Sequence, residues 1–179
     1  IDLSKSNKFD IDIRLSITNK SESGCLSKAK KSNISYSIIE SSNYENKEYF
    51  EEDIINTIKK HDIELVVMAG WMKIMSSKFV NAFKNKIINI HPSLLPSFKG
   101  NNAIKEAIIS GTKITGCSVH FVEPEVDSGS LIMQAALSIS DLDNIDSLTK
   151  KIHILEHKIL PLSISQAGYM LRNGIKGNV

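Results

Sequence analysis

The fold is decided by a short apolar run near the middle of the chain, where residues 65–69 read L-V-V-M-A and are followed by Gly70. A run that is apolar throughout and ends at a breaker is typical of a strand buried on both faces of a parallel sheet. Residues 87–90 read I-I-N-I and predict a second buried strand. Apolar residues at helical spacing predict helices at 44–61 and 76–83. The run therefore predicts the centre of an α/β sheet.

Strands and helices alternate along the rest of the chain as well. The pattern predicts strands at 10–17, 34–39, 114–122 and 131–139, and helices at 23–31, 103–110 and from Asp146 onwards. Pro161 is expected to kink or divide the last helix. This alternation predicts a doubly wound, Rossmann-like, mostly parallel sheet, whose ligands bind beyond the carboxyl ends of the strands.

The composition is that of an ordinary globular domain. In 179 residues, 22 Lys and Arg stand against 20 Asp and Glu, a net charge of +2. This balance gives no support to nucleic-acid binding, since only Arg14 and Arg172 among the cations are suited to bidentate recognition. No apolar run approaches the roughly 18–20 residues that span a bilayer, so we expect no membrane partner and a cytoplasmic location. Cys25 and Cys117 are expected to be free thiols.

The strongest candidate for a functional site lies at residues 89–100, which read N-I-H-P-S-L-L-P-S-F-K-G. Side chains alternate along a strand, so Asn89 and His91 project from the same face, and Pro92 keeps His91 extended. A donor amide and an imidazole therefore meet at the carboxyl end of a buried strand. The residues alone leave two interpretations equally open: a catalytic pair, or a strand-end cap with a satisfied loop histidine.

An acidic turn follows the next strand, where residues 123–129 read E-P-E-V-D-S-G. Such a turn is most often a solvated connection. In a doubly wound sheet, however, loops after neighbouring strands share one edge, so we expect Asp127 to approach His91 and hold it in its charged form. With Asn89, the two side chains would then stabilise an oxyanion and move a proton without a metal ion.

Six segments keep a common order and spacing over nearly the whole chain. They are V-V-M-A-G-W-M-K-I-M at 66–75, N-I-H-P-S-L-L-P at 89–96, F-K-G at 98–100, G-C-S-V-H-F-V at 116–122, E-V-D-S-G at 125–129 and E-H-K-I-L-P at 156–161. By these segments the chain resembles the glycinamide ribonucleotide transformylases, the folate-dependent formyltransferases of purine synthesis. The resemblance implies a single formyltransferase domain over residues 1–179.

The resemblance also implies a reaction, the transfer of a formyl group from the cosubstrate 10-formyltetrahydrofolate to the amine of glycinamide ribonucleotide, with no metal ion. By position, His91 would protonate the tetrahedral intermediate, Asn89 would help to hold its oxyanion, and Asp127 would hold His91 charged. An attacking amine loses a proton while the folate nitrogen gains one, and an imidazole coupled to a carboxylate suits that exchange. The implied partners are the nucleotide and the folate, and a weak homodimer is left open.

The same resemblance assigns further residues to the two substrates. The folate site would include Lys47, Met72, Lys73, Ile74, Met75, Asn89, Val122 and Val126. The nucleotide would be bound by Pro92, His153 and Glu156. Two other histidines have simpler interpretations. His120 shares a strand face with Ser118 and fits a hydrogen-bonded position either behind the catalytic residues or in the core, and His61 fits a helix cap.

The sequence departs from the family pattern in three places. The family begins with a strand and a Gly-Ser-Asn loop that binds the substrate phosphate. Here residues 1–9 match the helix after that loop, so we expect an N-terminally incomplete domain that lacks its first strand. Lys73 stands where the family often has arginine, which would make a folate contact less directional. Asn102 stands near a position where relatives often have histidine.

Three other functions stay open. A formyltetrahydrofolate hydrolase resembles this family, with water in place of the amine and an additional N-terminal regulatory domain. Methionyl-tRNA formyltransferase resembles the catalytic loop but adds a C-terminal RNA-binding domain, for which we expect no room after Val179. A folate- or nucleotide-binding protein without turnover would be favoured if the N-terminal loop were absent from the natural chain.

A zinc site is a weaker alternative. His153, Glu156 and His157 fit the H-x-x-E-H pattern of one class of zinc peptidases. Those enzymes take a further ligand from a downstream acid, and residues 158–179 contain neither Asp nor Glu. The pattern therefore favours the nucleotide site over a metal.

Overall fold

The structure, a computed structural model, describes residue 1 and residues 9–175 of the chain. The helix predicted at residues 1–9 from the family resemblance lies almost entirely within residues 2–8, which are outside the described part of the chain. Clusters of contacts divide the chain into two units, residues 1–64 and 65–179. Among the described residues, no helix is both long enough and apolar enough to cross a membrane.

The described residues of the first unit form two parallel strands and two helices. These are β1 (Leu15–Thr18), α1 (Gly24–Lys31), β2 (Ser35–Ile38) and α2 (Lys47–Lys59), with a 3-10 turn at Ser41–Asn43 before α2. The strand predicted at 10–17 is wrong at its start, because β2 offers only four pairing partners and the parallel ladder begins at Leu15. Ser23 caps α1 by accepting a hydrogen bond from the Cys25 N–H.

Helix α2 is shorter than predicted from the apolar spacing. Asn46 caps its start by accepting a hydrogen bond from the Tyr49 N–H, and the preceding residues form the 3-10 turn. His61 Nδ1 lies 2.8 Å from the carbonyl oxygen of Thr57 at the far end of the helix. That contact fits the predicted capping role of His61.

The second unit contains a four-stranded sheet in the order β3-β4-β5-β6. Its elements are β3 (Val66–Met68), α3 (Ser77–Ala82), β4 (Ile87–His91), α4 (Ala103–Ile109), β5 (Ile114–Phe121), β6 (Leu131–Ser138) and α5 (Ile145–Arg172). The mixed α/β fold predicted from the sequence is confirmed. Strands β3 and β4 are parallel, as are β1 and β2, whereas β5 runs antiparallel to both of its neighbours.

Helix α5 covers the sheet of the second unit and closes its core. It packs against β4, β5, β6 and α4. The buried core contains Ile88, Cys117, Val119, Phe121, Leu148, Ile152, Ile159 and Ala167. Of the two outcomes predicted for Pro161, a kink or a division of the last helix, division is wrong, because buried residues on both sides of the proline, Ile159 and Ala167, stabilise one continuous helix. The kink stays a prediction.

Both cysteines are free thiols, as predicted. Cys117 is fully buried on β5. Burial raises the pKa of the Cys117 thiol to about 12, and the carboxylate of Glu156 acts in the same direction. The thiol is therefore protonated and unreactive at neutral pH.

Candidate active site

Four polar side chains share one face of the sheet where β4 and β5 pair. In the antiparallel register, Asn89 lies opposite His120 and His91 lies opposite Ser118. Directly opposed residues project to the same face, and residues two apart along a strand do so as well. The sequence spacing N-x-H on β4 and S-x-H on β5 thus builds a compact polar patch on an otherwise apolar sheet.

The Asp127 carboxylate lies at the centre of this patch. Its Oδ2 atom is 3.4 Å from His91 Nδ1, and its Oδ1 atom is 3.6 Å from His120 Nε2. Oδ2 also accepts a hydrogen bond of 2.8 Å from the Gly100 N–H. The side chains of His91 and Asp127 are only 6% and 9% exposed. The carboxylate is therefore largely removed from water and surrounded by polar groups.

Asp127 reaches His91 by a different route from the one predicted. The shared-edge argument is wrong, because β5 ends beside Ile88, at the start of β4, and the following loop must double back. Gly129 permits the return, since a Cβ there would lie 1.8 Å from the carbonyl oxygen of Phe121. Asp127 itself adopts a left-handed backbone with φ 49°, which Asp tolerates better than most residues.

The second nitrogen of His91 faces a backbone carbonyl. His91 Nε2 is 2.8 Å from the oxygen of Phe98, so the short segment 98–100 contacts both the ring and, through Gly100, the carboxylate. Gly100 has φ 86°, a conformation that glycine adopts without steric cost. A neutral imidazole has one N–H and can donate to either Asp127 or Phe98, while the imidazolium donates to both.

His120 supports Asn89 from the neighbouring strand. His120 is 2% exposed, and burial lowers its pKa, so the neutral ring is favoured. Its Nδ1 lies 2.8 Å from the Phe121 carbonyl oxygen, which assigns the N–H to Nδ1 and leaves Nε2 as an acceptor. Asn89 Nδ2 lies 3.4 Å from that Nε2 atom. The contact fixes the direction of the Asn89 amide and leaves its second N–H available.

The loop after β3 carries the residues predicted to line a folate pocket. It starts beside the patch, because Met68 at the end of β3 lies opposite Asn89. Met72 and Ile74 are 67% and 61% exposed, and Lys73 between them is also exposed. Met75 differs, since it is buried and its sulfur accepts a hydrogen bond from Trp71 Nε1–H.

The other predicted contacts are spread over both units. The Val122 N–H donates to the Ile87 carbonyl, so it is already used, while Val126 is 41% exposed. Pro92 follows His91 directly and is half-buried. Lys47 lies in the first unit, where its Nζ is 3.6 Å from Glu51 Oε1.

His153 and Glu156 lie one turn apart on α5, with His153 Nε2 4.0 Å from Glu156 Oε2. Burial raises the pKa of Glu156, and the imidazoles of His153, His157 and His91 act against that rise. Within residues 9–175, no three His, Cys, Asp or Glu side chains are grouped so that they could hold a metal ion.

Two site features are missed by sequence reasoning. His120 is not one of them, because the sequence predicts a hydrogen-bonded position in the core or behind the catalytic residues, and the structure places it against Asn89 and Asp127. The Phe98 carbonyl and the Gly100 N–H leave no signal, because backbone groups are the same in every residue.

The fold and this patch define an α/β protein with a buried cluster of two histidines, an aspartate and an asparagine at a strand end. Comparison with known proteins identifies the family, since residues 1–164 match the family described as Formyl transferase. The chain belongs to that formyl transferase family.

Three similar proteins illustrate the relationship. The chain is 39% identical over 177 residues to the "Trifunctional purine biosynthetic protein adenosine-3" of Chironomus tentans, covering 97% of this chain but 13% of that protein. It is 36% identical over 162 residues to the "Phosphoribosylglycinamide formyltransferase" of Bacillus subtilis (strain 168), covering 90% of this chain and 83% of that protein. The crystal structure of phosphoribosylglycinamide formyltransferase from Bacillus halodurans superposes with a TM-score of 0.89 at 32% identity, covering 95% of this chain and 87% of that one.

Proposed function

We propose that this protein transfers a formyl group from 10-formyltetrahydrofolate to the amine of glycinamide ribonucleotide. The observation that carries the proposal is the buried contact between His91 and Asp127, with Asn89 on the same face of the sheet. Membership of the formyl transferase family supports the class of reaction, and the names of the bacterial relatives support the nucleotide substrate. The bound folate would supply the formyl group.

His91 and Asp127 would move the proton that the reaction requires. The amine loses a proton as it forms the new C–N bond, and the departing folate nitrogen must gain one. His91 Nδ1 is directed at Asp127, and His91 Nε2, which lies 2.8 Å from the Phe98 carbonyl oxygen, would exchange a proton with the substrates once that contact is released. A positioned acid or base of this kind contributes roughly 10²- to 10⁴-fold to the rate.

Asn89 would stabilise the negative charge that develops on the formyl oxygen. His120 accepts one of its N–H groups, so the amide is oriented before substrate binds and its other N–H remains available. Such preorganised donors act most strongly where water is excluded, and loss of one typically costs about 10²- to 10³-fold in kcat.

Exposed apolar side chains near the patch support a folate site. Small-molecule sites are lined mostly by apolar side chains with a few polar groups, and Met72 and Ile74 after β3 and Val126 after β5 are apolar and exposed. We assign Lys73, Met75, Val122 and Lys47 to the same ligand by resemblance to the family. Pro92, His153 and Glu156 are assigned to the nucleotide in the same way.

The family match crosses the boundary between the two units, which supports the prediction of one formyltransferase domain. The trifunctional relative is named as purine biosynthetic, which supports a cytoplasmic location. The chain spans 13% of that relative, so activities of its other parts are not proposed for this protein.

One assay tests the proposal. The full-length protein is supplied with 10-formyltetrahydrofolate, and release of tetrahydrofolate is followed with and without glycinamide ribonucleotide. We expect release only with the nucleotide, and a loss of at least about 100-fold for His91→Asn. His61→Asn is the matched control, because His61 caps α2 in the first unit, and it should retain full activity. Release without the amine would instead indicate a formyltetrahydrofolate hydrolase.

A further inference from the structure

His91 on β4 has polar residues directly opposite it on the next two strands of the sheet. Ser118 on β5 lies opposite His91, and Gln134 on β6 lies opposite Ser118. All three side chains therefore project from the same face of the sheet. Neither Ser118 nor Gln134 is needed for the acid-base chemistry described above, so their alignment with His91 requires another explanation.

Ser118 and Gln134 hold the backbone of the loop that follows His91. Ser118 Oγ donates to the Ser93 carbonyl at 2.6 Å and accepts from the Leu95 N–H at 3.0 Å. Gln134 Nε2 donates to Ser118 Oγ at 2.8 Å and to the Leu95 carbonyl at 3.0 Å. A hydroxyl has one donor and two acceptor positions, and an amide nitrogen has two hydrogens, so the Ser118 hydroxyl and the Gln134 amide nitrogen are both fully used.

These bonds replace the sheet hydrogen bonds that the loop lacks. Ser93 and Leu95 are buried, and buried backbone groups need partners. The anchored loop is also braced internally, because Ser93 Oγ donates to the Ser97 carbonyl and the Ser97 N–H donates to the Leu94 carbonyl. Gln134 thus holds the loop at its middle, between His91 and the segment 98–100.

That segment brings the loop back to the catalytic pair. The Phe98 carbonyl contacts His91 Nε2, and the Gly100 N–H donates to Asp127. A displacement of the loop at Leu95 would therefore be transmitted to both partners of the pair. A misplacement of about 1 Å can cost roughly 100-fold in rate.

We infer that Gln134 is a positioning residue for the His91–Asp127 pair, acting through the Leu95 carbonyl and Ser118. The effect on catalysis rests on the proposed function, whereas the effect on the geometry of His91 does not. Loss of both Gln134 donors should reduce kcat by roughly 10- to 100-fold while KM for either substrate changes much less. The pH dependence of kcat should shift, because the surroundings of the His91 ring change.

The decisive variant is Gln134→Met, which keeps the length of the side chain and removes both N–H donors. Gln166→Met is the matched control, since Gln166 is the other glutamine of the chain and is exposed on α5. Gln134→Glu, which also loses both donors, serves if the Met variant does not fold. For each variant we would measure kcat, KM, the pH dependence of kcat and the ¹H–¹⁵N spectrum of the His91 ring.

The inference predicts altered His91 ring resonances and a lowered kcat for Gln134→Met, with Gln166→Met like the wild type. Combination with Ser118→Ala should add little further loss, because both side chains act in one network. Unchanged ring resonances with an unchanged pH profile would overturn the inference, even if thermal stability fell. If the wild type does not transfer formyl groups, the proposed function fails, and the ring spectrum alone still decides the role of Gln134.

Discussion

Two carboxylates of the second unit, Asp127 and Asp143, are similarly buried yet differ in what surrounds them. Their side chains are 9% and 5% exposed. Asp143 accepts hydrogen bonds from the Ser140 N–H, the Ser147 hydroxyl and Lys151 Nζ, all within eight residues of it in sequence. Two of the three partners of Asp127 come from distant segments, since Gly100 is 27 residues away and His91 lies on β4, while His120 is near in sequence.

The difference lies in what the partners can do. The partners of Asp143 belong to the turn before α5 and to the first turns of α5, so that cluster fixes the start of the helix. The partners of Asp127 are two imidazoles and a backbone amide, and imidazole is the side chain most often used in acid-base catalysis. The cluster around Asp143 stabilises a helix end, whereas the cluster around Asp127 carries the acid-base chemistry of the proposed function.

The largest expected effect comes from removing the charge of Asp127. We expect Asp127→Asn to lower kcat by roughly 10²- to 10⁴-fold, because His91 loses the carboxylate that orients its ring. Steady-state formyl transfer measures this loss. Asp143→Asn is the matched control and should leave kcat unchanged. Similar losses in both variants would contradict the distinction between the two carboxylates.

A smaller effect is expected at the start of α5. Asn144 caps this helix by accepting a hydrogen bond from the Ser147 N–H, and Ser147 completes a capping box. Asn144→Ala should lower the free energy of unfolding by about 1 kcal/mol without changing kcat. Urea denaturation measures the change, with the exposed Asn56→Ala on α2 as control. A fall in kcat would mean that the local cluster contributes to the active site.

The smallest effect concerns acid stability. The Lys151 ammonium, with the Ser140 N–H and the Ser147 hydroxyl, lowers the pKa of Asp143 from 3.8 to about 2. Because the folded-state pKa is depressed, the stabilisation is fully present above pH 3.8 and is lost as the pH falls through about 2. The urea midpoint of the wild type should therefore exceed that of Asp143→Asn above pH 3.8, and this difference should shrink as the pH falls through about 2. A difference that persists unchanged at pH 2 would exclude Asp143 as its source.

The same contrast explains how much can be predicted from sequence. Elements with local causes, such as the apolar run of β3 and the face of α1, are predicted close to their observed bounds. The two-residue period of a strand likewise suffices to place Asn89 and His91 on one face of β4. Patterns within about ten residues carry this information, because they reflect periodicity and capping.

Features that depend on pairing between distant segments cannot be predicted in this way. The direction of β5 is not encoded in its own apolar pattern, so the sequence favours a parallel neighbour for β4, which is wrong. The continuity of α5 through Pro161 depends on burial against the sheet, which overrides the cost of the missing N–H. The backbone partners of His91 and Asp127 follow only from the course of the 92–100 loop.

The antiparallel course of β5 has a consequence for how this chain can change in length. Asp127 stands six residues beyond the end of β5, on a loop that starts at the far edge of the sheet and returns. One inserted or deleted residue before Asp127 would displace the carboxylate by up to about 3.5 Å, the reach of one extended residue. Insertions at loop tips elsewhere are commonly tolerated. The number of residues between Phe121 and Asp127 is therefore constrained by the contact between Asp127 and His91.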